Sequence, residues 1–311
     1  MTSLPSGSQP ATHRARDIAE GFGADAGRYD RARPTYPREL VGAIVAASPG
    51  RRFLDVGIGT GIAARLFRGA GCRVLGVDVD PRMAELARND GFEVEVGKFE
   101  EWDSAERVFD AIIAGQTWHW VDPVAGAQKA AEVLRPVGRL ALFWNVFQPA
   151  SEVAEAFAAA YDRVDTGFPF NFWKVPPLVS YEPGFTTAAD GIRKSAAFAE
   201  PEQWRFGWER EYTRDEWLDQ VLTQGGHSRI APEKLEALLT ELGDAVDDWG
   251  GSFTMGYIAV VVTAARASDV APTATKARIS TASMGLWRPY EEPPPGGPVP
   301  KRVKDLSAAR L

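Results

Sequence analysis

Three glycines at alternate positions, Gly57, Gly59 and Gly61, follow an apolar run that ends in an acid, Asp55, in the stretch FLDVGIGTGI. A backbone this bare lets the chain approach a ligand closely. The helix start behind the turn offers free N–H groups to the same ligand. A carboxylate at the mouth of the run, two residues before the first glycine, repels a pyrophosphate and suits an ammonium group, met directly or through water. The spacing Gly57-x-Gly59-x-Gly61 also departs from the G-x-G-x-x-G of dinucleotide enzymes. A second apolar run, CRVLGVDVD, ends in Asp78, which is placed to accept hydrogen bonds from both hydroxyls of a ribose.

His119, in TWHW, is the candidate general base, because imidazole titrates near neutral pH. The alternative is that it only orients its loop. If the segment is extended, Trp118 and Trp120 point to opposite sides and one of them faces a pocket, where an aromatic wall attracts a cation; both are otherwise core. His227 and Arg229 in GGHSR, with Lys174 or Arg205, either receive an anionic substrate or form a charged surface loop. No His/Asp/Glu cluster has metal-ligand spacing, so no metal is expected. Cys72, the single cysteine, opens the second strand at the end far from the glycine turn and is expected to be inert.

The elements that must position these residues read as an alternation. Arg51 to Asp55 is a strand and TGIAARLFRGAG a helix; CRVLGVDVD is a strand and PRMAELARND a helix opened by Pro81. FEVEVGKF and FDAIIAG are strands, PVAGAQKAAEVLRP is a helix, and GRLALFWNVF is a fifth strand. Such alternation predicts a doubly wound, mostly parallel α/β sheet with helices on both faces. After Pro149 the rhythm changes. Ser151 to Val164 is a helix, and FPFNFWKVPPLVSYEPGF, rich in proline and aromatics, suits a cover rather than more sheet. EPEQWRFGWEREYT and GGSFTMGYIAVVVTAAR are two further strands expected to pair antiparallel, separated by helices at RDEWLDQVLT and PEKLEALLTELGDAVDDW.

The formal charge of −7 is unevenly spread: eight basic against four acidic residues from Arg266 onward leave the preceding body at about −11. A body that acidic is a poor match for a phosphate backbone, so nucleic acid is not the expected partner. No apolar stretch is long enough to span a bilayer, the first twenty residues lack a signal-peptide core, and a reducing cytoplasm is the expected location. Residues 1–24 are expected to be flexible. Residues 267–311 are expected to be a disordered Pro-rich tail, either a solvated extension or, through GLWRPYEEPPPGGP, a partner-binding segment.

FLDVGIGTGI followed by VLGVDVD resembles the class I S-adenosylmethionine-dependent methyltransferases over about residues 25–265. GKFEEW and FDAIIAGQTWHWVDP occur in the order that family has, and RYDRARPTYP and GSFTMGYIAVVVTA resemble a bacterial small-molecule branch of it, methyltransferase type 11-like. The resemblance implies a Rossmann-like seven-stranded sheet, with a cofactor half at about 25–149 and a helical, aromatic cover at about 150–230 before the last strands. It implies S-adenosyl-L-methionine as cofactor. Gly57, Gly59 and Gly61 would pass its methionine part, with Asp55 near the amino group. Asp78 would hold the ribose, Val79 the adenine, and Phe99 would cover the adenine face. Gly115, Gln116 and Thr117 would lie beside the sulfonium, and Tyr29 and Arg33 would close over the carboxylate. Lys98 stands where an aspartate is common, which leaves the adenine amino contact unassigned.

The expected reaction is methyl transfer to oxygen, or to nitrogen, of a small-molecule acceptor, with an organic acid as one option. No Asn-Pro-Pro-Tyr or Asp-Pro-Pro-Tyr follows the fourth strand, where nucleic-acid amino methylators carry one. The alternatives are an NAD(P)-dependent oxidoreductase and a non-catalytic S-adenosylmethionine-binding regulator.

Overall fold

Apolar runs punctuated by glycine and proline become seven strands: β1 (Arg52–Val56), β2 (Arg73–Asp78), β3 (Glu93–Val96), β4 (Phe109–Gly115), β5 (Leu134–Gln148), β6 (Glu202–Thr213) and β7 (Ser252–Ala265). The computed structural model describes residue 23 and residues 25–268. The strands form one sheet in the order β3-β2-β1-β4-β5-β7-β6. The first five are mutually parallel, β7 is antiparallel to β5, and β6 is antiparallel to β7. The expected Rossmann-like sheet is thus present, with its reversed strand where the last strand was anticipated.

Nine helices accompany the strands among the described residues: α1 (Ala26–Ala32), α2 (Arg38–Ala46), α3 (Ile62–Gly69), α4 (Pro81–Asn89), α5 (Pro123–Val133), α6 (Ser151–Arg163), α7 (Pro177–Ser195), α8 (Arg214–Leu222) and α9 (Pro232–Asp248). Their starts are chemically marked. Asp80 caps α4 by accepting from the Arg82 N–H, and Asp122 caps α5 through the Val124 and Ala125 N–H groups, each with proline at the first helical position. Thr213 and Glu216 form a reciprocal capping box on α8.

Period-two alternation sends Leu54, Val56, Ile112 and Leu142 to one face of the sheet, in one core cluster with α5 and α7 residues. Phe53, Ala111, Ile113 and Phe143 go to the other, clustered with residues of α2 and α3. Being buried on both faces, the central strands read as unbroken apolar runs. A third cluster, dominated by Phe157, Trp173, Trp217, Phe253 and Tyr257, joins α6, α8 and α9 to the ends of β6 and β7.

Several elements differ from the sequence reading. β3 is shorter than the stretch FEVEVGKF and stops at Val96, where the Gly97 N–H to the Asp78 carbonyl (2.8 Å) is the last rung of its pairing with β2. β5 begins at Leu134 rather than Gly138, running directly from the end of α5 through a register shift opposite β4. The proline-rich stretch after Phe172 contains the nineteen-residue α7, whose Phe185, Ala188 and Ile192 join the sheet core beside α5. Pro183 inside that helix removes the N–H that would bond the Val179 carbonyl. Val179 is 63% exposed, which places that turn on the solvent side of the helix. The expected flexible N-terminus and Pro-rich tail lie outside the described residues, apart from residues 23, 267 and 268. No helix among the described residues is long and apolar enough to cross a membrane.

Candidate functional site

The strand order reverses direction between β1 and β4, and open α/β sheets bind ligands at the carboxyl ends of the strands at such a point. The glycine turn leaves β1 there. Gly57 and Ile58 donate to the Val77 carbonyl (2.7 and 3.2 Å), and the Gly59 N–H donates to Asp78 Oδ2 (2.7 Å). Gly57 adopts φ +68°, and a side chain at that position would collide with Thr117 at the end of β4. The glycine is therefore required both by the turn and by the closeness of the two strand ends.

A groove follows this turn in two connected halves. Tyr29, Gly57, Gly59, Gln116 and Thr117 line both. The first half adds Asp55, Arg33 and Gly115. Asp55 is 1% exposed, and neither of its carboxylate oxygens has a hydrogen-bond partner. Burial, with the nearby charge of Asp78, raises its pKa well above the ordinary carboxylate value. An isolated buried carboxylate is costly unless something positive meets it. Arg33 lies over the Tyr29 ring (4.9 Å), and its Nε is buried without a partner.

The second half adds Asp78, Val79, Phe99 and Trp120. Asp78 is held by amides: Oδ2 accepts from Gly59, and Oδ1 accepts from Asp80 (2.9 Å). Burial raises its pKa, and these amide hydrogen bonds oppose that rise. Gly61 does not line the groove. It opens α3 at φ +93°, where a side chain would press on Phe92 (3.2 Å). Trp118 is also absent from the lining, because residues 118–120 form a single 3-10 turn rather than an extended segment. The turn buries Trp118 in the core against Phe99 and leaves Trp120 facing the groove.

His119 sits on that turn beside Trp120 (ring centroids 4.6 Å). Its Nδ1 receives the Trp144 indole N–H over a long 3.4 Å. An indole only donates, so Nδ1 is the acceptor and the ring proton resides on Nε2. Burial and the positive charge of Arg33 lower its pKa to about 4, which keeps the ring neutral at physiological pH. His227 is buried elsewhere, bonded to the Tyr161 hydroxyl through Nε2 (2.6 Å). Lys174 is ion-paired to Asp162 (2.6 Å), and Arg205 lies exposed on β6. Among the described residues there is no cluster of three metal-ligating side chains, and Cys72 is buried just before β2.

The groove also contains residues the sequence did not single out. Glu100 lines its second half and accepts the Asp122 N–H (2.8 Å), whereas Lys98 turns to Glu101 (3.7 Å). Tyr36 and Asn145 line the first half. Asn145 is 3% exposed; it donates to the Thr35 carbonyl (2.8 Å) and accepts from the Trp208 indole (3.1 Å). Gln116 holds φ +55° on a side-chain-bearing residue, and such strain clusters at functional sites. Apolar residues around Asn145 in β5 were the one available hint, a lone amide inside a buried strand.

A family model described as a methyltransferase domain matches residues 54–142, from β1 through β5. An uncharacterized methyltransferase of Mycobacterium tuberculosis is 39% identical over 132 residues, covering 42% of this chain and 54% of the relative. Through this region the chain matches a methyltransferase domain. A demethylmenaquinone methyltransferase of Tropheryma whipplei is 31% identical over 136 residues, covering 40% of this chain and 57% of that protein. The chain thus spans little more than half the length of the curated methyltransferases it matches. A structure described as a type II methyltransferase from Anaeromyxobacter dehalogenans superimposes with a TM-score of 0.55 at 21% identity, over 76% of this chain and 99% of the other, a likeness of fold.

Proposed function

We propose that this methyltransferase-family protein binds S-adenosylmethionine in the groove over the glycine turn and transfers its methyl group to an oxygen of a small-molecule acceptor. The observation that carries the reading is Asp55: two buried carboxylate oxygens without a partner, beside a glycine turn and facing a groove. They suit the ammonium of the cofactor's methionine part. Arg33 and Tyr29 suit its carboxylate, Asp78 its ribose, and Val79 and Phe99 its adenine. Glu100, in the same half of the groove, supplies the acid that Lys98 does not, for the adenine amino group. Gly115, Gln116 and Thr117 then border the reacting centre.

The cofactor supplies a sulfonium-bound methyl that leaves by in-line displacement. The chain's own residues need only align the acceptor and exclude water. His119 lines neither half of the groove; on the turn beside Trp120, which does, it is neutral, its Nδ1 is taken by the Trp144 indole and its proton sits on Nε2, so it is not poised as a base. That favours an acceptor already ionised, such as the carboxylate of an organic acid, over a hydroxyl that must first lose a proton. On this reading His119→Gln, which keeps a donor, retains turnover within about threefold, and His119→Ala loses about tenfold. A rate that rises with pH through a pKa of about 4 in the wild type and is flat in His119→Gln would make His119 the base after all.

The reading is tested by thermal denaturation with S-adenosylmethionine, S-adenosylhomocysteine, NADH and NADP⁺. A ligand that binds only the native state raises the melting temperature with its concentration. A rise with the two sulfur compounds alone supports the proposal. A rise with a dinucleotide alone replaces it with an oxidoreductase, the reading that Asp55 disfavours because its carboxylate would face a pyrophosphate. Binding without transfer to any acid, alcohol or amine acceptor would leave a regulator.

A further inference from the structure

β6 is the terminal strand of the sheet, and its outer edge meets no other strand among the described residues. It runs twelve residues, Glu202–Thr213, in unbroken register with β7 and contains no proline and no lysine. An edge so long and regular presents a row of backbone donors and acceptors, which natural proteins either blunt or cover. Among the described residues no further strand pairs with it, and no proline or bulge interrupts it.

Alternation places Gln203, Arg205, Gly207, Glu209 and Glu211 on one exposed face. Arg205 and Glu209 take no ion-pair partner within the described residues. Four positions apart on a strand, they stand about 13 Å from each other and cannot pair within one chain. At Gly207, between them, no heavy atom lies within 4 Å of where a side chain would begin.

We propose that β6 pairs antiparallel with β6 of a second copy of this chain, about a two-fold axis at Gly207. Directly opposed residues of an antiparallel pair share a face, so the axis must fall on a residue position. At Gly207 it sets Arg205 of each copy opposite Glu209 of the other and Gln203 opposite Glu211, so every charged side chain on the face meets a complementary group. On the other face Phe206 opposes Trp208. An axis at Arg205 or Glu209 would place like charges against each other. An axis at Phe206 leaves Arg205 facing glycine, and one at Trp208 leaves Glu209 facing glycine. The sheet would continue through the dimer as fourteen strands, with the grooves at the switch points left open.

Sedimentation velocity on the full chain tests this. The wild type sediments as a dimer at micromolar concentration. Arg205→Glu and Glu209→Arg each weaken the dimer at least about tenfold, because each turns two facing attractions into repulsions. The double variant, Arg205→Glu with Glu209→Arg, restores opposite charges and returns the wild-type constant. A monomer up to about 100 µM, including one whose edge is filled by its own terminal segments, would overturn the proposal. So would a dimer that Arg205→Glu leaves unchanged, or a double variant that stays monomeric. Unchanged melting temperatures in the variants separate lost association from lost folding.

Discussion

Replacing Asp55 by asparagine will raise the melting temperature of the ligand-free protein while lowering its affinity for S-adenosylmethionine about a hundredfold. Both effects come from one circumstance, a carboxylate buried at the end of β1 with no hydrogen bond to either oxygen. Without ligand, its charge is uncompensated and its pKa is raised by burial and by Asp78. An acid whose folded pKa lies above its unfolded value binds a proton more tightly in the native state. Stability is then full below the ordinary carboxylate range and is lost as pH rises through the folded value. The advantage of Asp55→Asn over wild type therefore grows with pH, to about 3–6 °C in Tm on the alkaline side. With ligand the sign reverses, because the amide forfeits the charge-assisted contact to the ammonium. Melting curves from pH 4 to pH 8, with and without S-adenosylmethionine, check both halves. Equal affinity in the two proteins would remove Asp55 from the site.

Asp78→Ala will have the larger effect on binding, with loss of more than about a hundredfold and no measurable heat in calorimetry. This carboxylate does two things at once. Its oxygens take the N–H groups of Gly59 and Asp80, fixing the glycine turn to the end of β2. Facing the groove, the same oxygens are the acceptors proposed for the ribose hydroxyls. The alanine variant leaves two amides unpaired and the turn untethered, each unpaired buried group costing about 1–3 kcal/mol. Asp78→Asn, which still accepts one amide, falls between alanine and wild type. Unchanged affinity in Asp78→Ala would show that the ribose lies elsewhere.

How much of this was legible beforehand follows from the range of the interactions involved. The glycine turn, Asp55 and Asp78 are local: strand, turn and helix succeed one another within thirty residues, so residue type and spacing alone mark them. Trp118 and Trp120 were not separable in this way. An extended segment and a 3-10 turn differ by a few backbone angles, and burial against Phe99 selects between them. His119 is a base by composition, yet its proton position depends on the indole of Trp144, twenty-five residues on. Asn145 bonds the carbonyl of Thr35 across 110 positions and receives the indole of Trp208 from β6. Nothing in the neighbouring letters of any of these residues encodes such a partner.

By itself, then, the sequence determined the succession of the seven strands and of helices α3 to α6, α8 and α9, the bare turn at the mouth of β1 and the acids that flank it. Each of these is set by periodicity, by backbone freedom at glycine, or by capping within a few residues. The tertiary structure decided which side chains meet over the turn: Tyr36 and Asn145 enter the first half, Glu100 enters the second, and Trp118 and Gly61 leave it. It also decided that α7 is a sheet-packing helix and that β6 stands at the end of the sheet. These outcomes rest on contacts between distant segments, whose partners exist only once the sheet has closed around its core.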